Sequence, residues 1–431
     1  MTDPHERNDP HNLDPAGLSR RSLLQGLGLG AAALGAFGMA RNLHADDLPR
    51  DANGNVIPGF GEDDAHTRTE LQQNAGKWEP KSDRKVKVGI AGYGLCKFGA
   101  TFFYQNHPNV EVVAATDLDP ARCVNLAKAV GARKTYASCE EMIEKDKDIE
   151  AVYIATDAPS HATLAIKALK RGLHVCSAVP AVFGFEAHEE ADELFEAVKT
   201  SGMKYMMNET STFHAECYAK RMQYQAGALG KLIYSEGEYY HDAVGVLAGY
   251  NPKTGKVDAN GWRRAVPPMW YPTHATAYYV SVTGGGRLTE VSCVGMPSYY
   301  DVFKKKNQYD NRFGTEVALF KTSEGGMSRM AMSWDAKNAH GEQGRVYGQK
   351  AHNKKISGAR PALPPGVKGG GHGGSHGQLT NDFIESILLD RKPIVDISEA
   401  LNMTMSGVVA HQSALKDGEW MKVPQYDLSR G

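Results

Sequence analysis

Val86-Lys87-Val88-Gly89-Ile90-Ala91-Gly92-Tyr93-Gly94 is the stretch on which the fold turns. An apolar, partly β-branched run that leads straight into Gly-x-Gly reads as a strand followed by a tight turn into a helix. The first glycine makes the turn, the second lets backbone approach a pyrophosphate, and the helix start offers amides to the anion. Residues 110–116 read as a second strand ending at Asp117, 25 residues past Gly92. A carboxylate there accepts from ribose hydroxyls and repels a 2′-phosphate, which favours NAD over NADP. The third glycine position of the fingerprint holds Lys97 instead, with Gly99 just beyond.

Working outward, short apolar strands alternate with amphipathic helices. Residues 120–130 predict a helix with proline in its first turn, 151–156 a strand, and 162–171 a helix ended by Gly172. Residues 174–177 predict a strand, 186–201 a helix, and 204–208 a strand. That alternation argues for an α/β, doubly wound (Rossmann) domain over residues 84–208. Beyond about residue 230 the pattern changes. Residues 232–240, 288–296, 315–322 and 326–333 read as strands without a helix between each pair. They predict an α+β domain with a largely antiparallel open sheet at 209–380. A glycine-rich loop covers 366–377, and helices at 379–389 and 398–416 fill a C-terminal segment at 381–431.

Upstream, Leu18-Ser19-Arg20-Arg21-Ser22-Leu23-Leu24 precedes an apolar, Gly/Ala-rich run to Ala40. Paired arginines before a modestly hydrophobic segment read as a twin-arginine export signal at 1–45. The run is too short and glycine-rich for a span of about 20 apolar residues. Residues 46–83 are polar and aperiodic, and predict an extended arm. The six cysteines (Cys96, Cys123, Cys139, Cys176, Cys217, Cys293) show neither CxxC pairs nor zinc spacing. A formal charge of -1 gives no electrostatic case for nucleic acid or anionic lipid. The expectation is an exported, periplasmic or extracytoplasmic protein with no nucleic-acid partner and no membrane contact after signal removal.

Thr156 to His161, followed by Ala168-Leu169-Lys170-Arg171-Gly172-Leu173-His174-Val175, resembles the Gfo/Idh/MocA family, and the likeness runs over roughly residues 84–420. The resemblance implies that Thr156, Pro159 and His161 line the nicotinamide half of a cofactor site. Pro180 and Asn208 join them, beside Gly92, Gly94 and Asp117. Sugar dehydrogenases of the family carry Glu-Lys-Pro where this chain has Ala178-Val179-Pro180. Valine moves no proton, so the usual acid/base lysine is absent. Val179-Pro180-Ala181, Gly237-Glu238-Tyr239-Tyr240-His241-Asp242, Tyr271-Pro272-Thr273-His274 and Gly371-His372-Gly373-Gly374 resemble the family 109 glycoside hydrolase branch. His274 matches the family's catalytic histidine, while Trp270 stands where its aspartate is expected. The resemblance further implies N-acetylgalactosaminide-like substrates and a homo-oligomer.

Oxidising a sugar hydroxyl needs a base nearby and a donor for the return step, tasks that suit histidine and tyrosine tuned toward neutral pH. The expected catalytic groups are His274, Tyr271, His241 and Tyr239, with Trp270 and His372 touching substrate. His372 and His376 lie four apart in a glycine loop, with no HExxH and no acidic cluster, so no metal site is expected. An exported NAD enzyme must keep its cofactor and balance its electrons within each turnover. Glycoside cleavage by transient oxidation at carbon 3, elimination, water addition and re-reduction satisfies this. The alternatives are a sugar dehydrogenase or coupled sugar–sugar oxidoreductase with tightly bound NAD(P), and a catalytically inactive sugar-binding protein.

Overall fold

Six short strands form the first sheet: β1 (Val86–Ala91), β2 (Val110–Thr116), β3 (Lys134–Tyr136), β4 (Ala151–Ile154), β5 (His174–Ser177) and β6 (Tyr205–Met207). All pair in parallel, in the order β3-β2-β1-β4-β5-β6, the order expected of a doubly wound nucleotide-binding sheet. The computed structural model describes residues 77–428 apart from 242–249, 252–255, 258–260, 337–339 and 352–359. The export signal, residues 46–76 of the expected arm, and Asp242 therefore lie outside the described residues.

Between the strands run α1 (Phe98–Thr101), α2 (Pro120–Val130), α3 (Cys139–Lys145), α4 (His161–Lys170) and α5 (Ala187–Ser201). Local chemistry sets their ends. The Asp119 carboxylate accepts from the amides of Ala121 and Arg122, Pro120 opens α2, and Gly131 closes it with φ +69°. The Ser138 hydroxyl accepts from the Glu141 amide at the start of α3.

At the glycine turn, Gly92 has φ +105°, and a Cβ there would sit 2.2 Å from the Ala155 carbonyl oxygen. A Cβ on Gly99 would lie 2.4 Å from the Gly92 carbonyl oxygen and 2.9 Å from Leu126 Cδ1. Gly99 thus does the helix-packing work of the third fingerprint glycine, displaced two residues along the chain. Lys97 occupies the nominal position as the N-cap of α1, with φ 53°.

The second sheet holds β7 (Leu232–His241), β8 (Leu288–Pro297), β9 (Phe313–Thr322), β10 (Met327–Ser333), β11 (His340–Gly348) and β12 (Met421–Lys422). Their order is β11-β7-β10-β9-β8-β12, antiparallel throughout except for the parallel β7–β10 pair. Along β9, buried and exposed residues alternate, so one face is covered and one is open.

Further helices include α6 (Ala215–Gln225), α7 (Thr273–Thr276), α8 (His376–Leu388) and α9 (Ile397–Ala414). Although the sequence reads α9 as part of a closing C-terminal pair, almost all of its residues are buried, against β8 on one side and α5 on another. Its polar groups find partners: the Asn402 amide donates to the Tyr426 carbonyl at 2.9 Å, and His411 Nδ1 lies 2.7 Å from Glu316 Oε1. Among the described residues, no helix is long and apolar enough to cross a membrane.

Candidate active site

Gly92, Gly94, Asp117 and Thr156 line a groove of about 810 Å³ at the C-terminal ends of the parallel strands, faced by Trp262 and Arg263. The Asp117 carboxylate accepts from the Tyr93 amide at 2.7 Å and the Asp119 amide at 2.9 Å, which aims it along the glycine turn. A Cβ built on Gly94 would meet nothing within 4 Å, so backbone is open to a ligand there. These residues fit a dinucleotide.

Other expected cofactor contacts sit elsewhere. Pro159, His161, Pro180 and Asn208 are not among the described residues lining the groove. His161 is buried, and its Nδ1–H donates to the Pro180 carbonyl at 2.9 Å. Burial pushes its pKa down and so keeps the ring neutral. The Cys176 thiol donates to Asn208 Oδ1 at 2.9 Å, in the core. Pro159 belongs to the short 3-10 turn Ala158–Ser160 that leads into α4.

The tyrosines and histidines do come together. The C-terminal end of β7 carries Tyr239 and His241, with ring centroids 5.8 Å apart. Pro267 and Pro268 open the turn Pro268–Trp270, which delivers Tyr271 and then His274 on α7. The Tyr239 ring is 4.6 Å from His274 and 6.3 Å from Tyr271. Strand and helix meet this closely because of Gly237, where a Cβ would sit 2.0 Å from the Ala275 carbonyl oxygen and 2.8 Å from Met330 Sδ. Gly237→Ala is therefore expected to push α7 off β7, cost about 1–3 kcal/mol and lower activity with little effect on dinucleotide affinity. Chemical denaturation and a nicotinamide fluorescence titration check both halves of that prediction.

Charge organises the cluster. Glu209 follows β6 at the C-terminal edge of the parallel sheet, fully buried, and its Oε1 is 2.8 Å from His274 Nδ1. Glu342, on β11, places Oε2 3.8 Å from the same nitrogen and 3.1 Å from His214 Nε2. That oxygen also accepts from the Ser211 hydroxyl at 2.8 Å. Burial alone pushes the His274 pKa down, but the Glu209 and Glu342 carboxylates outweigh it and lift it to about 9. His274 is thus an imidazolium at neutral pH. Burial likewise raises Glu342, yet His274, His214 and His372 outweigh it and hold the carboxyl below its ordinary range.

The two phenols behave otherwise than the sequence suggests. Burial raises Tyr239 well above the ordinary value and Tyr271 to about 12, away from neutral rather than toward it. Both therefore keep their hydroxyl hydrogens at neutral pH. The donor atoms of Glu209, His274 and Glu342 lie within 4.8 Å of one another, close enough for one cation. The proton on His274 already supplies positive charge at that point.

Glu209, Glu342 and His214 escaped the sequence reading. Only Glu209 left a trace, as a carboxylate just past the last strand of a parallel sheet, where ligands of such folds bind. Trp270 itself is buried edge-on among Phe183, Phe185, Tyr309 and His411. His372, at 5.8 Å from Phe98 of the groove wall, joins the glycine turn to the cluster. Its ring is parallel to that of His274, 6.3 Å away.

Comparisons with known proteins agree with this architecture. Residues 86–209 match the Gfo/Idh/MocA family model, described as an oxidoreductase family with an NAD-binding Rossmann fold. A "Glycosyl hydrolase family 109 protein 1" of Bacteroides fragilis is 31% identical over 174 residues, covering 38% of this chain and 36% of the relative. A "Glycosyl hydrolase family 109 protein 4" of Phocaeicola vulgatus is 30% identical over 254 residues, covering 56% and 48% respectively. The matched stretches thus span less than half the length of these relatives. A crystal structure of scyllo-inositol dehydrogenase from Lactobacillus casei, with bound NAD(H) and scyllo-inositol, shares the fold with TM-score 0.62 at 16% identity. That likeness covers 79% of this chain and 99% of the other.

Proposed function

As a member of the Gfo/Idh/MocA oxidoreductase family that resembles glycosyl hydrolase family 109 proteins, this chain, we propose, is an NAD-dependent carbohydrate-active enzyme that cleaves glycosides without net redox change. The observation that carries the reading is the Glu209–His274–Glu342 cluster, with Tyr239 and Tyr271 against it, beside the dinucleotide groove. Gly92, Gly94, Asp117 and Thr156 would hold the cofactor. When bound, NAD supplies the oxidant for a carbon-3 hydroxyl and returns the electrons at the end of the turnover.

The chain's own residues handle protons. Oxidation at carbon 3 acidifies the hydrogen on carbon 2, whose removal expels the aglycone, and water then adds to the unsaturated sugar. His274, held as an imidazolium, protonates the leaving oxygen. Tyr239 and Tyr271, held as neutral phenols, donate hydrogen bonds to oxygens on which negative charge builds. Val179, in the place of the dehydrogenase lysine, contributes no proton transfer, which supports cleavage over simple dehydrogenation. The Ser19-Arg20-Arg21 pattern supports an exported enzyme with a retained cofactor. Exposed Val294, Met296, Val317 and Leu319 on the open sheet face support self-association.

The test is to incubate purified protein, with no NAD added, with a panel of nitrophenyl glycosides that includes N-acetylgalactosaminides. Aglycone release over many turnovers, with only a transient rise in reduced-nicotinamide absorbance, is expected. Lasting reduction that a second sugar reverses would instead establish the coupled oxidoreductase.

A further inference from the structure

A hydrogen-bond seam fixes one outer wall of the site. Gln308 Nε2 donates to the carbonyls of Gly261 at 2.9 Å and Arg264 at 3.2 Å, and the Tyr309 hydroxyl donates to the Trp262 carbonyl. Asn311 Nδ2 donates to the Ala265 carbonyl at 3.2 Å. The loop at 298–312 is thereby tied alongside residues 261–265, whose Trp262 and Arg263 face the cofactor groove. Aromatic packing backs the seam. Tyr309 lies 5.2 Å from Trp270 and 5.8 Å from Phe183, and Trp262 lies 5.5 Å from Phe183. Amides, a phenol and rings, all neutral, hold the wall in place.

The cations of the wall take no part in that seam. Residues 261–264 and 298–312 carry Arg263, Arg264, Lys304, Lys305, Lys306 and Arg312 against Asp301 and Asp310, in a chain that balances 49 Lys and Arg with 50 Asp and Glu. Among the described residues, only Lys304 of the six has a carboxylate in ion-pair range, Asp301 at 3.3 Å. Two further carboxylates beside the wall are engaged elsewhere: Asp335 accepts from the Ser298 hydroxyl at 2.7 Å and Asp157 from the Ser160 hydroxyl at 2.8 Å. Arg263 rests over the Trp262 ring at 4.1 Å and Arg312 over Phe313 at 5.2 Å. A guanidinium held by its face keeps its N–H edges for an anion. Burial raises the Tyr239 and Tyr271 pKa values and the Arg263 charge opposes it, so the positive field of the wall reaches the reactive cluster.

We propose that this wall receives an anionic glycan: the chain from which the sugar is released carries sulfate or carboxylate groups that pair with Arg264, Arg312 and the Lys304–Lys306 run. The proposal rests on the carbohydrate reading above and adds the chemical class of the leaving chain. Two exposed rings, Tyr299 at the start of the loop and Phe185 edge-on to Trp270, offer apolar faces to its sugar rings. A neutral chain would gain that stacking alone and leave the cations solvated. Each exposed ion pair contributes little by itself, so recognition needs several acting together along a polymer, and charge then sets specificity more than raw affinity.

Binding can be read on the full chain without turnover, from immobilised dextran, dextran sulfate and polygalacturonate. Sulfated or uronate chains are expected to bind at least about 10-fold tighter than dextran at low salt, and to lose that margin as salt screens the exposed charges. The sulfated and uronate arms identify which anion the wall takes. The triple variant Lys304→Gln, Lys305→Gln, Lys306→Gln should weaken anionic-glycan binding about 10-fold while turnover of small neutral nitrophenyl glycosides is unchanged. Lys128→Gln, Lys167→Gln and Lys199→Gln together remove the same charge from α2, α4 and α5, and should leave binding as it was. Equal binding of dextran, or equal weakening by the two triple variants, overturns the proposal. Charge-dependent glycan binding without aglycone release would sustain the wall's role and count only against the cleavage reading.

Discussion

Replacing His274 by alanine is expected to lower glycoside turnover by about 10³-fold, the range of a lost acid/base group, while dinucleotide remains bound. His274 sits outside the groove lined by Gly92, Gly94 and Asp117, so cofactor affinity has no reason to change. The substitution also strands the Glu209 carboxylate, which is fully buried. Losing one partner of a buried pair costs roughly 3–5 kcal/mol. His274→Gln, which still donates a hydrogen bond but holds no charge, separates the two effects: stability recovers in part and turnover does not. Aglycone release and bound-nicotinamide fluorescence on the same samples give the answer. Substantial turnover by either variant would remove His274 from the chemistry.

The second large effect concerns pH. His274 titrates at about 9 in the folded protein against an ordinary 6.5, so its folded pKa is raised. The stability it contributes is therefore complete below pH 6.5 and is lost as pH rises through about 9. The basic limb of the kcat profile should fall in the same region, where the imidazolium loses its proton. Glu209→Gln removes the nearer carboxylate and leaves only Glu342 to oppose burial. The basic limb is then expected to move down by roughly one to three pH units. The slope of Tm against pH between neutrality and pH 9 should flatten in the variant. An unshifted limb in Glu209→Gln would mean that the site's alkaline transition belongs to another group.

How much of this was legible differs between the two halves of the chain. Strand, glycine turn, and acid at the end of the second strand are all local signals, and β1, β2, α2 and α5 fall where alternation and capping residues put them. The displaced third glycine was legible only as an irregularity. Its role lies in the close packing of Gly99 against the Gly92 carbonyl, a tertiary contact. In the site, Tyr239, Tyr271 and His274 stood out because each lies in a short motif. Glu342 did not, since it sits in a strand among glycine, glutamine and arginine, 131 residues from the Ser211 hydroxyl it accepts from.

By itself, the sequence determined a doubly wound domain, a second sheet, and the presence of a tyrosine–histidine set, because hydrophobic period and turn chemistry act over a few residues. Only the tertiary structure decided which carboxylates face His274 and that the phenols stay protonated. Proton affinity depends on burial and on the charge within a few ångströms. Here those neighbours come from β6, β11 and the glycine loop, brought together by packing that no local pattern encodes.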